Sequence, residues 1–209
     1  MSMTSTGTFT LEVADIAAAQ RFYTAFAPDV QVRLRASEAP TTGFRGFALS
    51  LTVPRPADVD ALAGAALAAG ATTLKPASKS FWGYAAIVRA PDGTIWKLAT
   101  SAKRDAGPAT GQIDDVVLLL GVDDVSATKR FYVEHGLAVA KSFGSKYVEF
   151  ATPSSPFKLA LYGRRALAKD VGVPIDGSGS HRLVIGGTGG PFTDPDGFVW
   201  EAAVPAPTA

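Results

Sequence analysis

Two similar stretches hold the residues best suited to chemistry. "AIVRAPDGTIWKLA" runs from Ala86 to Ala99, and "GPFTDPDGFVWEAA" runs from Gly190 to Ala203. Both contain Pro-Asp-Gly, two further residues and a Trp, but the next position is Lys97 in one and Glu201 in the other. A carboxylate there can accept a proton or attract a cation, whereas an ammonium repels a cation. His181, in "DGSGSHRL", is the other candidate. An imidazole titrates near neutrality and suits a general base, although a Gly/Ser loop is also where a histidine simply faces water. Lys97 reads as an ion-pair partner of Glu12 or Asp92, or as a catalytic lysine. His135, in "VEHGL", reads as a cation at a helix C-terminus. These are the only two histidines and there is no cysteine, which excludes a three-histidine centre within one chain, thiolate ligation and cysteine nucleophiles.

The elements that must position these groups come in repeated units. "LEVADIAAAQRFY" from Leu11 matches "LGVDDVSATKRFY" from Leu120, and each half of the chain opens with this motif and closes with Pro-Asp-Gly. Such self-similarity indicates a duplication. A polar Gly/Pro-bearing linker at 102–112 separates a unit at 1–101 from one at 113–209. Phe9, Leu11 and Val13 alternate with polar residues, which predicts a half-buried strand. Asp15 predicts a helix N-cap, and Ile16, Ala19, Phe22, Tyr23 and Phe26 predict the apolar stripe of that helix. Leu118, Leu120, Val122 and Asp124 repeat the arrangement. A third strand and helix start at "GFALSLTV" and Pro56. A fourth strand at "HRLVIGG" has no helix after it. Further strands are expected at "VQVRLRA", "YAAIVRA", "TIWKLAT", "KYVEFAT" and "FKLALYG", with a short helix from Arg164 stopped by Gly172. "GGTGG" opens no helix and is not read as a phosphate loop.

Composition narrows the function classes. The chain has 209 residues, 47% of them hydrophobic, with a net charge of +1. That supports a packed core and gives no basic footprint for nucleic acid. The N-terminus lacks a secretory pattern and no apolar run approaches a membrane span, so a cytoplasmic protein without membrane or nucleic-acid partners is expected.

The strand carrying Val-x-Asp, the helix ending in Arg-Phe-Tyr and the final Asp-Pro-Asp-Gly-x-x-Trp-Glu resemble the vicinal oxygen chelate superfamily: the glyoxalases, bleomycin-resistance proteins and extradiol dioxygenases. The resemblance spans about 8–204 and implies an α+β fold of two tandem glyoxalase-like domains. They would be built from βαβββ modules, with shortened modules in each. In that family the curled sheets form a cup, and enzyme members hold one divalent metal there (Zn, Ni, Mn or Fe) on His, Gln and Glu side chains. The corresponding positions here are Thr8, Gly46 and Lys97 in the first half, and Val117, about Ala160, His181 and Glu201 in the second. Only His181 and Glu201 are metal ligands by type, and two are fewer than the three a catalytic centre usually takes. Strand alternation adds Tyr147, Glu149, Lys158 and Tyr162 to the second cup as ligand-binding residues, with Glu149 or Tyr147 as a possible third ligand. Trp82 and Tyr84, in "KSFWGYAA", line a pocket or cover an edge.

Three readings follow. The first is a protein with a depleted metal site, or none, that binds a small aromatic or hydrophobic molecule. The second is a metal-dependent lyase, isomerase or dioxygenase using His181, Glu201 and a third group. The third is metal-free acid–base catalysis by His181 and Glu201. The small molecule would be held by a monomer whose halves pack as a pseudo-dimer, or by a homodimer.

Overall fold

The computed structural model describes residues 6–202 apart from 154 and 189. Its elements are β1 (Thr6–Val13), α1 (Ile16–Phe26), β2 (Arg33–Ala36), β3 (Thr41–Gly43), β4 (Phe47–Thr52), α2 (Pro56–Ala68), β5 (Thr72–Ser80), β6 (Gly83–Arg89) and β7 (Ile95–Thr100). After the linker come β8 (Asp115–Val122), α3 (Val125–Glu134), β9 (Val139–Phe143), β10 (Tyr147–Phe150), β11 (Lys158–Gly163), α4 (Arg164–Val171), β12 (Gly177–Gly179), β13 (Leu183–Gly187), β14 (Phe192–Thr193) and β15 (Val199–Ala202). No helix among the described residues is long and apolar enough to cross a membrane.

The expected caps form. The Asp15 carboxylate accepts from the amide of Ala18, and that of Asp124 accepts from Ser126 and Ala127. Pro56 opens α2, where its missing N–H costs nothing. No side chain at the preceding Arg55 caps this helix; instead Asp105, in the linker, accepts from the Ala57 amide at 2.7 Å. Asp58 of α2 in turn accepts from Thr110 and Gly111, so the linker is pinned to the first turn of α2 at both ends. Gly172 ends α4 in the left-handed conformation, φ +78°, where a Cβ would be strained.

Each sheet draws on both sides of the linker. The eight-stranded sheet has the order β5-β6-β7-β4-β8-β11-β10-β9, with β4 and β8 antiparallel at its centre (Ser50 opposite Val117). It comprises two complete βαβββ modules back to back. The five-stranded sheet, β14-β15-β13-β1-β2, joins two shortened modules across an antiparallel β1–β13 seam. Its first module keeps only β1, α1 and β2; β3 leaves the sheet to pair with β12. Its last module lacks the helix, as "HRLVIGG" predicts.

Two strands of the larger sheet escape the hydrophobic pattern. β5 contains Pro76 and is mostly polar, and β9 is almost wholly exposed. Both are outer strands of the eight-stranded sheet, where a ladder can tolerate proline and charge. Pro76 falls in a break of register between Lys75 and Ser78.

Alternation sends Phe9, Leu11, Val13, Leu49, Leu51, Leu118 and Leu120 into one continuous core with the apolar faces of α1 and α3. Trp96 and Trp200 are fully buried. The repeated Arg-Phe-Tyr and Pro-Asp-Gly motifs meet in space. Tyr23 donates to Asp92 at 2.6 Å. Tyr132 donates to Asp194 at 2.6 Å and accepts from the Trp200 indole at 3.1 Å. Burial, then the adjacent Asp194, pushes the Tyr132 hydroxyl well above the ordinary phenol range, so it remains a donor. These motifs tie helix to turn.

Candidate functional site

The side chains that turn away from the core lie in rows on the other face of the eight-stranded sheet. One row runs Ile87, Lys97, Ser50, Val117, Lys158 across five strands. Lys97 therefore points to this face while its neighbours Trp96 and Leu98 point into the core. The middle of the face is covered by α4. Its Leu167, Ala168 and Val171 are buried against Ala48, Ile95 and Leu119 in a second apolar cluster. Charges fasten the end of the helix. The Lys97 ammonium lies 2.6 Å from the Asp170 carboxylate. It therefore pairs with neither Glu12 nor Asp92, because its sheet face meets α4. The Lys75 ammonium donates to the carbonyls of Lys169 and Asp170 at 2.8 and 2.7 Å. Its stem crosses Gly172, where a Cβ would sit 2.7 Å from Lys75 Cε. The helix thus occupies the part of the cup nearest the Lys97 position.

Two open clefts of about 680 and 840 Å³ remain, and the larger of them reaches Asp170 at the end of α4. The larger, 840 Å³, lies toward the β5–β6 hairpin and is lined by Trp82, Tyr84, Ile87, Phe143, Tyr147 and Tyr162. Its volume suits a small molecule. Tyr147 and Tyr162 meet edge to face at 5.8 Å, and Phe143 flanks Tyr147 at 6.1 Å. Trp82 and Phe143 are 83% and 65% exposed at the rim, large apolar surfaces left open to solvent. Burial, then the neighbouring Glu149, raises the Tyr147 hydroxyl far above the ordinary phenol range; it donates to Glu149 at 3.1 Å. Tyr84 contributes only to the edge of the cleft, since its hydroxyl donates to Asp60 of α2 behind the sheet. Lys75, Lys97, Lys146 and Asp170 are the charged groups of the lining.

The sequence-derived site residues fall in four places. Trp82, Tyr84, Tyr147 and Tyr162 meet at this cleft. Glu149 and Lys158 line the second, 680 Å³ cleft with Asp29, Asp114 and Asp115. There Lys158 pairs with Asp115 at 2.8 Å and Glu149 with Lys141 at 3.6 Å. Glu201 lies on the outward face of the five-stranded sheet, beside Gly186, and pairs with Arg35 at 2.9 Å; Arg35 also holds Glu12 at 3.1 Å. His181 precedes β13 and stands among turns. Its Nδ1 faces the Arg45 carbonyl at 2.5 Å, its Nε2 faces the Asp196 carbonyl at 3.0 Å, and its ring stacks on Phe198.

The structure does not bring His181 and Glu201 together. Glu201 is level with Gly186 inside β13, whereas His181 lies before that strand begins at Leu183. Nor does either meet Tyr147, because the strands after the linker divide between the two sheets. The positions that carry metal in the resembling family therefore do not fit a metal here. Lys97 is in an ion pair, Glu201 is held by a guanidinium, and both nitrogens of His181 are occupied by carbonyls. Among the described residues no group of three or more His, Cys, Asp or Glu side chains converges as a cation site. The signal missed in the sequence was Asp170. It lies on a helix whose apolar stripe, Leu167, Ala168 and Val171, marked a buried face without showing which surface it covers.

No family model and no curated protein matches the chain. Solved structures do. A V278E mutant of glyoxalase I from Zea mays aligns over 94% of this chain and 91% of its own, at 16% identity and a TM-score of 0.58. Another glyoxalase I structure from Zea mays aligns over 88% and 75%, at 18% and 0.54. A putative dioxygenase from Bacillus subtilis aligns over 89% and 71%, at 11% and 0.53. At such identities the likeness is one of architecture, and the chain has the fold of glyoxalase I.

Proposed function

We propose that this protein binds a small aromatic or hydrophobic molecule in the cleft between α4 and the β5–β6 hairpin, without a catalytic metal. The observation that carries this reading is the convergence of Trp82, Phe143, Tyr147 and Tyr162 on one 840 Å³ cleft, two of them largely exposed at its mouth. Exposed aromatic surface around a concavity is what an apolar ligand covers. The fold supports the reading, because cups of this kind face their contents with one side of a curled sheet. The donor set supports it too, since the groups at the family's metal positions are committed to other partners.

The enzymatic alternative, a metal held by His181, Glu201 and a third group, requires those residues to converge, and it is disfavoured by their other partners, carbonyls for His181 and Arg35 for Glu201. Two measurements separate the readings. Titration with naphthalene-type compounds should quench the fluorescence of Trp82, the exposed indole of a chain whose other tryptophans are buried. Metal analysis of protein purified without chelators should show less than stoichiometric zinc, nickel, manganese or iron. A stoichiometric metal lost on His181→Ala would overturn the binding reading in favour of the enzymatic one.

A further inference from the structure

The cleft has a sign. Two ammonium groups approach one residue at the foot of α4: Lys97 meets the Asp170 carboxylate at 2.6 Å, and Lys75 meets the Asp170 carbonyl at 2.7 Å. The register explains the convergence, since Lys75 and Lys97 flank Ile87 on adjacent strands. Only one carboxylate answers them. The acceptors of Lys75 are the last carbonyls of α4, whose partial negative charge offsets only part of the ammonium. Lys146, next to Tyr147 in the chain, is a third lysine of the lining. Three cations against one anion leave an uncompensated positive charge beside aromatic walls.

We propose that the ligand is a planar aromatic acid, with its ring against Tyr147, Tyr162 and Trp82 and its carboxylate at the Lys75–Lys97 pair. This rests on the cleft being a binding site at all, as proposed above. The physical argument is that an ammonium pair beside a low-dielectric wall favours an anion more than bulk water would suggest. A carboxylate placed there takes the remaining N–H donors of both lysines. Asp170 is then a competitor: it holds Lys97 in place and also screens it from the ligand. Removing its charge should strengthen binding of an acid, an effect opposite to that expected from damaging a site.

The test compares 2-naphthoate with its neutral isostere 2-naphthamide by calorimetry on the full chain. The acid is expected to bind at least tenfold more tightly, with an affinity that falls as salt rises. Asp170→Asn should raise the affinity for the acid several-fold and leave the amide unchanged, and Lys146→Met should lower it for the acid alone. Thermal melts of both variants check that the fold is retained. If both probes bind equally and Asp170→Asn changes neither, the cleft stands and the anion site falls. If neither probe binds or quenches Trp82, the cleft reading itself fails. A gain for the acid in an Asp170→Asn protein that still melts cooperatively, a few degrees lower for want of the ion pair, would not arise from a purely structural Asp170.

Discussion

Reversing the charge of Lys97 tests how α4 is held. Lys97→Glu gives this position the residue found at its counterpart, Glu201, and sets a carboxylate against Asp170. The existing pair is about a quarter to a third exposed on each side, so solvent screening limits its attraction to about 1 kcal/mol. Like-charge repulsion adds about as much again, for a total near 2 kcal/mol. Opposing this is the apolar anchor. Leu167 and Val171 are fully buried, and burying side chains of that size contributes about 1.5–3 kcal/mol each. The anchor wins: α4 should stay on the sheet while the protein loses roughly 2 kcal/mol, or about 4–8 °C in Tm for a chain of this size. Urea unfolding gives the energy, and hydrogen exchange at the α4 amides shows whether the helix remains docked. Adding Asp170→Lys restores opposite charges in the other order and should recover most of the loss. If the double variant is no more stable than Lys97→Glu, the ion pair does not fasten the helix and the reasoning fails.

Tyr132→Phe removes a hydroxyl that serves Asp194 and Trp200 at once in the buried core; it should cost about 2–4 kcal/mol in urea unfolding. Tyr23→Phe should cost less, because Asp92 is half-exposed. Gly172→Ala forces a Cβ into the left-handed region and against the Lys75 stem, costing about 1–2 kcal/mol and showing as faster exchange in α4. Burial alone would raise the Asp58 carboxyl, but hydrogen bonds from Thr110 and Gly111, helped by Arg55, outweigh it and hold the group below the ordinary carboxylate range. The folded state therefore favours the charged form. Its contribution is complete above the unfolded carboxylate pKa and disappears as pH falls through the depressed folded value. The stability gap between wild type and Asp58→Asn should narrow over that acid window, and a gap independent of pH would refute this.

Local structure was legible because its causes are local. Asp15 and Asp124 cap helices by accepting from amides two or three residues on, Gly172 stops a helix by its own φ, and alternation in Phe9, Leu11 and Val13 marked the buried side of a strand without knowledge of the fold. Partners distant in sequence were not legible. Nothing near Lys97 points to Asp170, 73 residues away, and nothing in β8 says that it pairs with β4. The same gap affects the candidate site. Alternation put Tyr147, Tyr162, His181 and Glu201 on concave faces of one imagined cup, because a period of two fixes the side of a strand but not its neighbours. The aromatic members meet; the acid and the imidazole lie on other parts of the fold. β5 was missed for a different reason, since a polar outer strand with a proline looks like a loop.

The crossed seams between the two halves also impose an order in time. All eight strands of the larger sheet lie between residues 47 and 163, so a nascent chain has everything needed to complete that sheet once Gly163 has emerged. β1, made first, has only β2 beside it until β13 is synthesised, because its other neighbour begins at Leu183. The open backbone edge of β1 must therefore wait for β13 before its ladder is complete. Pausing synthesis before Leu183 should leave a core with an unsealed flank, open to chaperones or to a second unfinished chain.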